Sequence, residues 1–130
     1  MTYYQVTMTP PKDSTNKSEY APVNRLRKKL QIDNLWMWIL RLLLEEEKYA
    51  YELRKEIKER FGFTPATVTS YAVLYRLERD EYVKSTVRSR FPSRKYYQIT
   101  EKGIEALKEA EALFEKYQHI LFDSIKLHEE

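Results

Sequence analysis

The chain has 130 residues, enough for one domain around a single core, and is 42% hydrophobic, 33% charged and 14% aromatic. Without cysteine it can build neither a disulfide framework nor a thiolate metal site, which fits a reducing cytoplasm, and its two glycines cannot form a glycine-rich phosphate cradle. Residues 101–130 set eight acids against four lysines, a net of −4, so the first hundred residues carry +7 of the overall +3 and should be the part that faces a polyanion.

Residues 1–23 hold Pro10, Pro11 and Pro22 among Ser, Thr, Asn and Lys and read as a flexible arm, although TYYQVTM could pair as a strand. This opening lacks the basic, apolar, small-residue order of a signal peptide. The longest apolar run, LWMWIL, is far short of the roughly 20 residues that cross a bilayer. In NRLRKKLQ, Leu26 and Leu30 lie one helical turn apart among Arg25, Arg27, Lys28 and Lys29. The segment is either an extra basic helix touching phosphates or the solvated start of the first helix.

Asp33 is the expected N-cap of an apolar helix, NLWMWILRLLLEE. Leu35, Trp36, Ile39, Leu40, Leu43 and Leu44 make a stripe too wide for a one-sided surface helix, and Trp38 and Leu42 lie outside it. Burial on a second side is expected from a partner subunit, with Leu35, Trp36 and Ile39 at the contact. The two tryptophans could instead line a pocket for an aromatic ligand, but packing is the preferred reading.

Lys48–Arg60 reads as a second helix, apolar at Tyr49, Leu53 and Ile57, with Gly62 supplying the left-handed residue after it. The turn FGFT leads to a third helix, with Thr64 as N-cap and Pro65 in its first position. Ala66, Ser70, Val73, Leu74 and Leu77 share its inner stripe, leaving Thr67, Val68, Tyr71, Tyr75 and Arg79 outward or sideways. Hydroxyls and rings with no acid before Glu78 suit a helix in the major groove, since they reach base edges and phosphates without repelling the backbone. The candidate contacts here are Thr67, Thr69, Ser70, Tyr71, Tyr75 and Arg76.

After Arg79 the period becomes two. VKSTVR and KYYQI are strand-like around the turn FPS, and five basic residues fall between Lys84 and Lys95 with no acid. Such a run is either a charged hairpin edge that resists edge-to-edge pairing or a wing that grips phosphates or the minor groove; its place after a groove-compatible helix favours the wing. The wing contacts expected are Arg88, Arg90, Ser93, Arg94 and Lys95.

Thr100 should cap the last helix, whose apolar positions Ile104, Leu107, Ala110, Phe114, Tyr117, Leu121 and Ile125 step by three and four over about three heptads. Its far half outruns the small body, so Leu107, Phe114, Tyr117 and Leu121 are expected to pack on the first helix of a second copy. The fold class predicted is mainly α with a small β-hairpin: a flexible arm (1–23), a winged helix-turn-helix (24–100) and a dimerisation helix (101–130).

Together, ILRLLLEEEKYAYELRKEIKER, SYAVLYRLERDEYV and SRKYYQITEKGIEAL resemble the helices, wing and last-helix start of PadR-family transcriptional regulators, over about residues 35–112. RLERDEYV with RKYYQITEKG is the specific part. The resemblance implies a homodimer that swaps its C-terminal helix against the partner's N-terminal helix, and repression from a palindromic duplex. It matches Tyr71 to a tyrosine near the start of the recognition helix, and Arg94, Lys95, Tyr96 and Tyr97 to the second wing strand. The family also implies a small aromatic effector, on which Trp36 and Trp38 could stack. This chain departs in having Glu81 where the family has glycine, and a longer turn before the recognition helix.

An enzyme is not expected, because His119 and His128 sit on the last helix with no motif placing a nucleophile or carboxylate pair beside them. Neither a cofactor nor a metal is expected. The rival is a non-specific architectural or partition-type DNA protein of the same fold, since phosphate contacts supply affinity whichever bases are read. A protein-interaction module without DNA binding should have no need of the wing's basic run, which this chain keeps. Either DNA role places the chain in the cytoplasm, on the nucleoid.

Overall fold

A computed structural model describes residues 17–128, so the arm expected at 1–23 lies outside the described residues as far as residue 16. Helix α1 (Ala21–Gln31) starts inside that expected arm, with Pro22 in its first turn, where a missing N–H leaves nothing unpaired. None of its residues is buried, and Val23 and Leu26 are exposed beside its basic side chains.

Helix α2 (Leu35–Leu43) is N-capped by Asn34 rather than Asp33. The Asp33 carboxylate instead pairs one turn back with Lys29, at 3.1 Å. Leu35, Ile39, Leu40, Leu42 and Leu43 of α2 are all buried. Much of the second side of this helix is covered by the chain itself. Helix α1 touches it where the Trp38 indole N–H donates to the Leu30 carbonyl at 2.8 Å, and the Trp38 ring meets Phe61 and Phe63 at centroid distances of 5.0 and 5.3 Å. Leu35 and Ile39, each 1% exposed, are therefore core residues and leave the expected dimer contact.

The segment expected as one helix from Lys48 begins as strand β1 (Lys48–Tyr49) and turns helical only at α3 (Ala50–Glu56). The last turn widens to a π-helix (Ile57–Phe61) and ends, as expected, at Gly62 in the left-handed region, φ 82°. Helix α4 (Thr67–Arg79) starts later than Thr64 and Pro65 suggest: Ala66 is its extended N-cap and Pro65 is fully buried beneath the loop.

Strands β2 (Val83–Arg90) and β3 (Ser93–Ile99) form the hairpin, with Phe91 and Pro92 at its tip. Lys48 pairs with Tyr97 and Tyr49 with Tyr96, which makes the expected two-stranded ribbon a three-stranded antiparallel sheet, ordered β1-β3-β2. Helix α5 (Glu101–Phe122) is capped by Thr100, whose hydroxyl oxygen accepts from the Gly103 N–H at 3.2 Å, and runs on into a 3₁₀ turn (Asp123–His128).

One core joins these parts: α2, Leu53 of α3, Ile57 of the π turn, Val73, Leu74 and Leu77 of α4, and Val83 and Tyr97 of the sheet. Burying each large aliphatic side chain stabilises by about 1.5–3 kcal/mol before entropy is counted, which ties α4 and the base of the sheet to one body. Helices α2, α3 and α4 with the hairpin make a winged helix-turn-helix.

Candidate nucleic-acid interface

The outer face of α4 carries Val68, Tyr71 and Tyr75, all exposed, with Thr67 exposed at its start. Val68 is 81% exposed, an apolar surface that the candidate contacts omitted. Ser70 was expected among the contacts, but it is 2% exposed and its hydroxyl donates to the Ala66 carbonyl at 3.0 Å. It is a satisfied inner residue and is removed from the interface.

Thr69 and Arg76 lie on one flank of α4, around the helix from Tyr71, and line an open cleft of about 710 Å³ with Leu35, Trp36, Val73 and Tyr82. Asp33 and Asp80 are also on its wall. Of the two tryptophans Trp36 borders this cleft, whereas Trp38 is taken up by its phenylalanine neighbours. Arg79 is turned aside by a two-point contact with Asp80, 3.0 Å on each arm.

On the wing, the expected cations fall into two groups. Arg88 is gripped by Glu47, which also accepts from the Gln98 side-chain amide at 3.1 Å, and its guanidinium lies 5.5 Å from the Tyr96 ring centroid. Lys95 pairs with Glu78 at 3.1 Å, and the Ser85 hydroxyl donates to the same carboxylate. The Ser85 hydrogen bond, with Lys95, holds the Glu78 carboxyl below the usual carboxylate range against the opposing effect of burial. Arg90 and Arg94 have no carboxylate partner among the described residues; Arg94 rests over the Tyr49 ring at 4.6 Å. Ser93, Arg94, Arg90 and Lys84 are exposed, and the tip residue Phe91 is 93% exposed.

Phe91 was legible only as part of the turn FPS; a large apolar residue beside a proline in an otherwise basic loop is the signal that could have marked it. Glu47 and Glu78 carried no such signal, because their cations are 41 and 17 positions away in sequence.

The fold's support lies behind this face. Lys48 is 3% exposed and its ammonium meets Glu56, Glu46 and Glu45 at 2.9, 3.5 and 3.7 Å. Burial disfavours its charge, but the Glu56 hydrogen bond and the three carboxylates outweigh that and hold the ammonium above its usual range. Arg60 closes the network on Glu45 at 2.7 Å and Glu56 at 2.9 Å.

The family model for the transcriptional regulator PadR-like family matches residues 39–109, more than half of the chain. The chain belongs to the PadR-like family. A relative from Lysinibacillus sphaericus, named only as an uncharacterised protein, is 41% identical over 75 residues, 55% of this chain and 69% of that one. A PadR-family transcriptional regulator from Eggerthella lenta is 31% identical, with a TM-score of 0.65 over 82% of this chain and 92% of its own. A transcriptional regulator from Clostridium thermocellum is 28% identical, with a TM-score of 0.64 over 75% and 94%. This PadR-like chain is thus a DNA-binding transcription regulator with a winged-helix fold, and not an enzyme. No helix among its described residues is long and apolar enough to cross a membrane.

Proposed function

We propose that this PadR-like regulator is a homodimeric repressor that reads a palindromic duplex, with α4 in the major groove and the wing on phosphates or in the minor groove. The observation that carries this reading is the shared exposure of an acid-free helix face, Thr67, Val68, Tyr71 and Tyr75, and of a wing whose Arg90 and Arg94 lack carboxylate partners among the described residues. The helix reads bases; the arginines anchor the backbone. Such a protein works in the cytoplasm, on the nucleoid. The cleft beside Trp36 is lined by Leu35, Val73 and Tyr82 with Arg76, Asp33 and Asp80 at its wall, which supports a small aromatic effector.

The dimer is supported by α5, where every residue from Glu111 to Ile125 is exposed and Phe114, Tyr117 and Leu121 continue one stripe. Leu107, the first of the expected seam residues, already packs on the chain's own core. The exposed α1 brings Val23 and Leu26 between cations, a surface complementary to the acidic α5 of a second copy.

Selection of bound duplexes from a random pool, followed by anisotropy on the winner and on scrambled DNA at several salt concentrations, tests the reading. A palindromic winner should bind at least about a thousandfold more tightly than scramble. Arg90→Ala/Arg94→Ala should lower the slope of log K against log salt by about 0.9 for each phosphate that is no longer neutralised. Equal binding to both duplexes would establish the architectural alternative instead.

A further inference from the structure

The wing is fastened to the body by one carboxylate on each side. Glu47, in the loop after α2, takes Arg88 of β2 with both oxygens and also accepts from Gln98 of β3, so one side chain ties both strands of the hairpin. Glu78, in the last turn of α4, accepts from Ser85 of β2 and pairs with Lys95 of β3, doing the same from the recognition helix. Two of the wing's five cations are thus neutralised from within the chain, while Lys84, Arg90 and Arg94 have no carboxylate partner among the described residues.

We propose that Glu47 and Glu78 are positioning residues that set the wing's angle to α4 and withhold Arg88 and Lys95 from phosphates, so that sequence-independent affinity for every duplex is kept low. The inference rests on the wing reading above. The physical ground is the split between the two kinds of contact: each phosphate neutralised adds affinity for every duplex equally, so it strengthens binding to non-target DNA without adding discrimination. A carboxylate already seated on Arg88 must be displaced before a phosphate can take its place. The Tyr96 ring under the guanidinium and the Gln98 amide on Glu47 further fix that pair. Both carboxylates lie on elements other than the strands they hold, so they also fix the hairpin as a unit relative to the recognition helix.

The test compares Glu47→Gln, Arg88→Ala and the double variant with the unmodified full chain on scrambled and selected duplexes. Glutamine keeps a hydrogen bond to Gln98 but releases the Arg88 charge. Glu47→Gln should then steepen the salt slope by about 0.9 and raise affinity for scrambled DNA about five- to tenfold at 0.1 M salt. The released charge adds equally to both duplexes, so a fall in preference for the selected duplex reads the loosened angle of the wing. Arg88→Ala alone should leave the slope unchanged, and the double variant should return to that value. An unchanged slope in Glu47→Gln, or a lowered slope in Arg88→Ala, overturns the proposal. Glu78→Gln, with Lys95→Ala as its partner, repeats the test from the recognition helix and serves if Glu47→Gln does not fold. Arg90→Ala/Arg94→Ala is measured alongside: if it leaves the slope unchanged, the wing reading itself has failed, whereas a lowered slope there with no effect of Glu47→Gln sinks only the carboxylate clamp.

Discussion

Glu81 takes the backbone through a left-handed conformation, φ 68°, at the turn between α4 and β2, where a side chain costs about 1–2 kcal/mol relative to glycine. Its carbonyl accepts from the Thr100 hydroxyl at 2.7 Å, which holds the turn against the start of α5 whatever its side chain is. Glu81→Gly should raise stability by about 0.5–1 kcal/mol, the relief being partly offset by the freedom that glycine gives the unfolded chain. A urea midpoint at or below that of the parent would show that the glutamate side chain contributes something the backbone does not. Gly103 is the opposite case. A Cβ there would lie 2.4 Å from the Tyr82 carbonyl oxygen and 2.7 Å from Ile99 Cγ1, so helix and hairpin touch only because nothing is present. Gly103→Ala should cost about 1–3 kcal/mol by the same measurement, since the closer obstacle is backbone.

At the scale of elements, the acidic run after α2 is a joint rather than a frayed helix end. Arg60, on the π turn after α3, hydrogen-bonds Glu45, Arg41 adds a second bond at 3.0 Å, and the carboxyl is held down at about 2 in spite of partial burial. Because the folded value is depressed, this contribution is complete above the unfolded carboxyl value near 4.5 and is lost as pH falls from there towards about 2. Urea midpoints between pH 6 and pH 3 should fall less steeply for Glu45→Gln than for the parent. Parallel curves would mean that the ion pair contributes nothing net. The same elements set the position of the wing, since Lys48 begins the strand that pairs with β3 and is itself held by Glu56 of α3.

At the scale of the whole molecule, α5 is two helices in one. Its first turns pack on the body, with Gly103 buried and Leu107 against the core, whereas its distal half exposes Leu113, Phe114, Tyr117, Ile120 and Leu121. A stripe of this size left in water favours association. Truncation after Ala112 should give monomers by sedimentation with an unchanged helix-sheet core, and should reduce affinity for a two-half-site duplex far more than for a single half-site. A dimer that survives truncation would move the seam to α1 and the cleft beside Trp36.

Local rules in the sequence determined much of this PadR-like fold: the apolar stripes of α2 and α4, Gly62 as a helix stop, Thr100 as a cap, the alternation of the wing strands and the period of α5. Each depends on residues within a few positions of one another, where helical or strand spacing acts directly. Only the tertiary structure decided which side of each stripe was already occupied. Leu35 and Ile39 read as partner contacts until the chain's own core closed over them. Ser70 read both as an inner-stripe residue and as a hydroxyl for DNA until its burial and its bond to the Ala66 carbonyl decided for the first. Strand β1, two residues long, has no period of its own and exists because β3 offers an edge to pair with. Arg88 and Lys95 are cations in sequence, but their charges are met by Glu47 and Glu78, which chain folding brings to them from 41 and 17 residues away. Charge neutralisation depends on distance in space, and spacing along the chain carries no record of it.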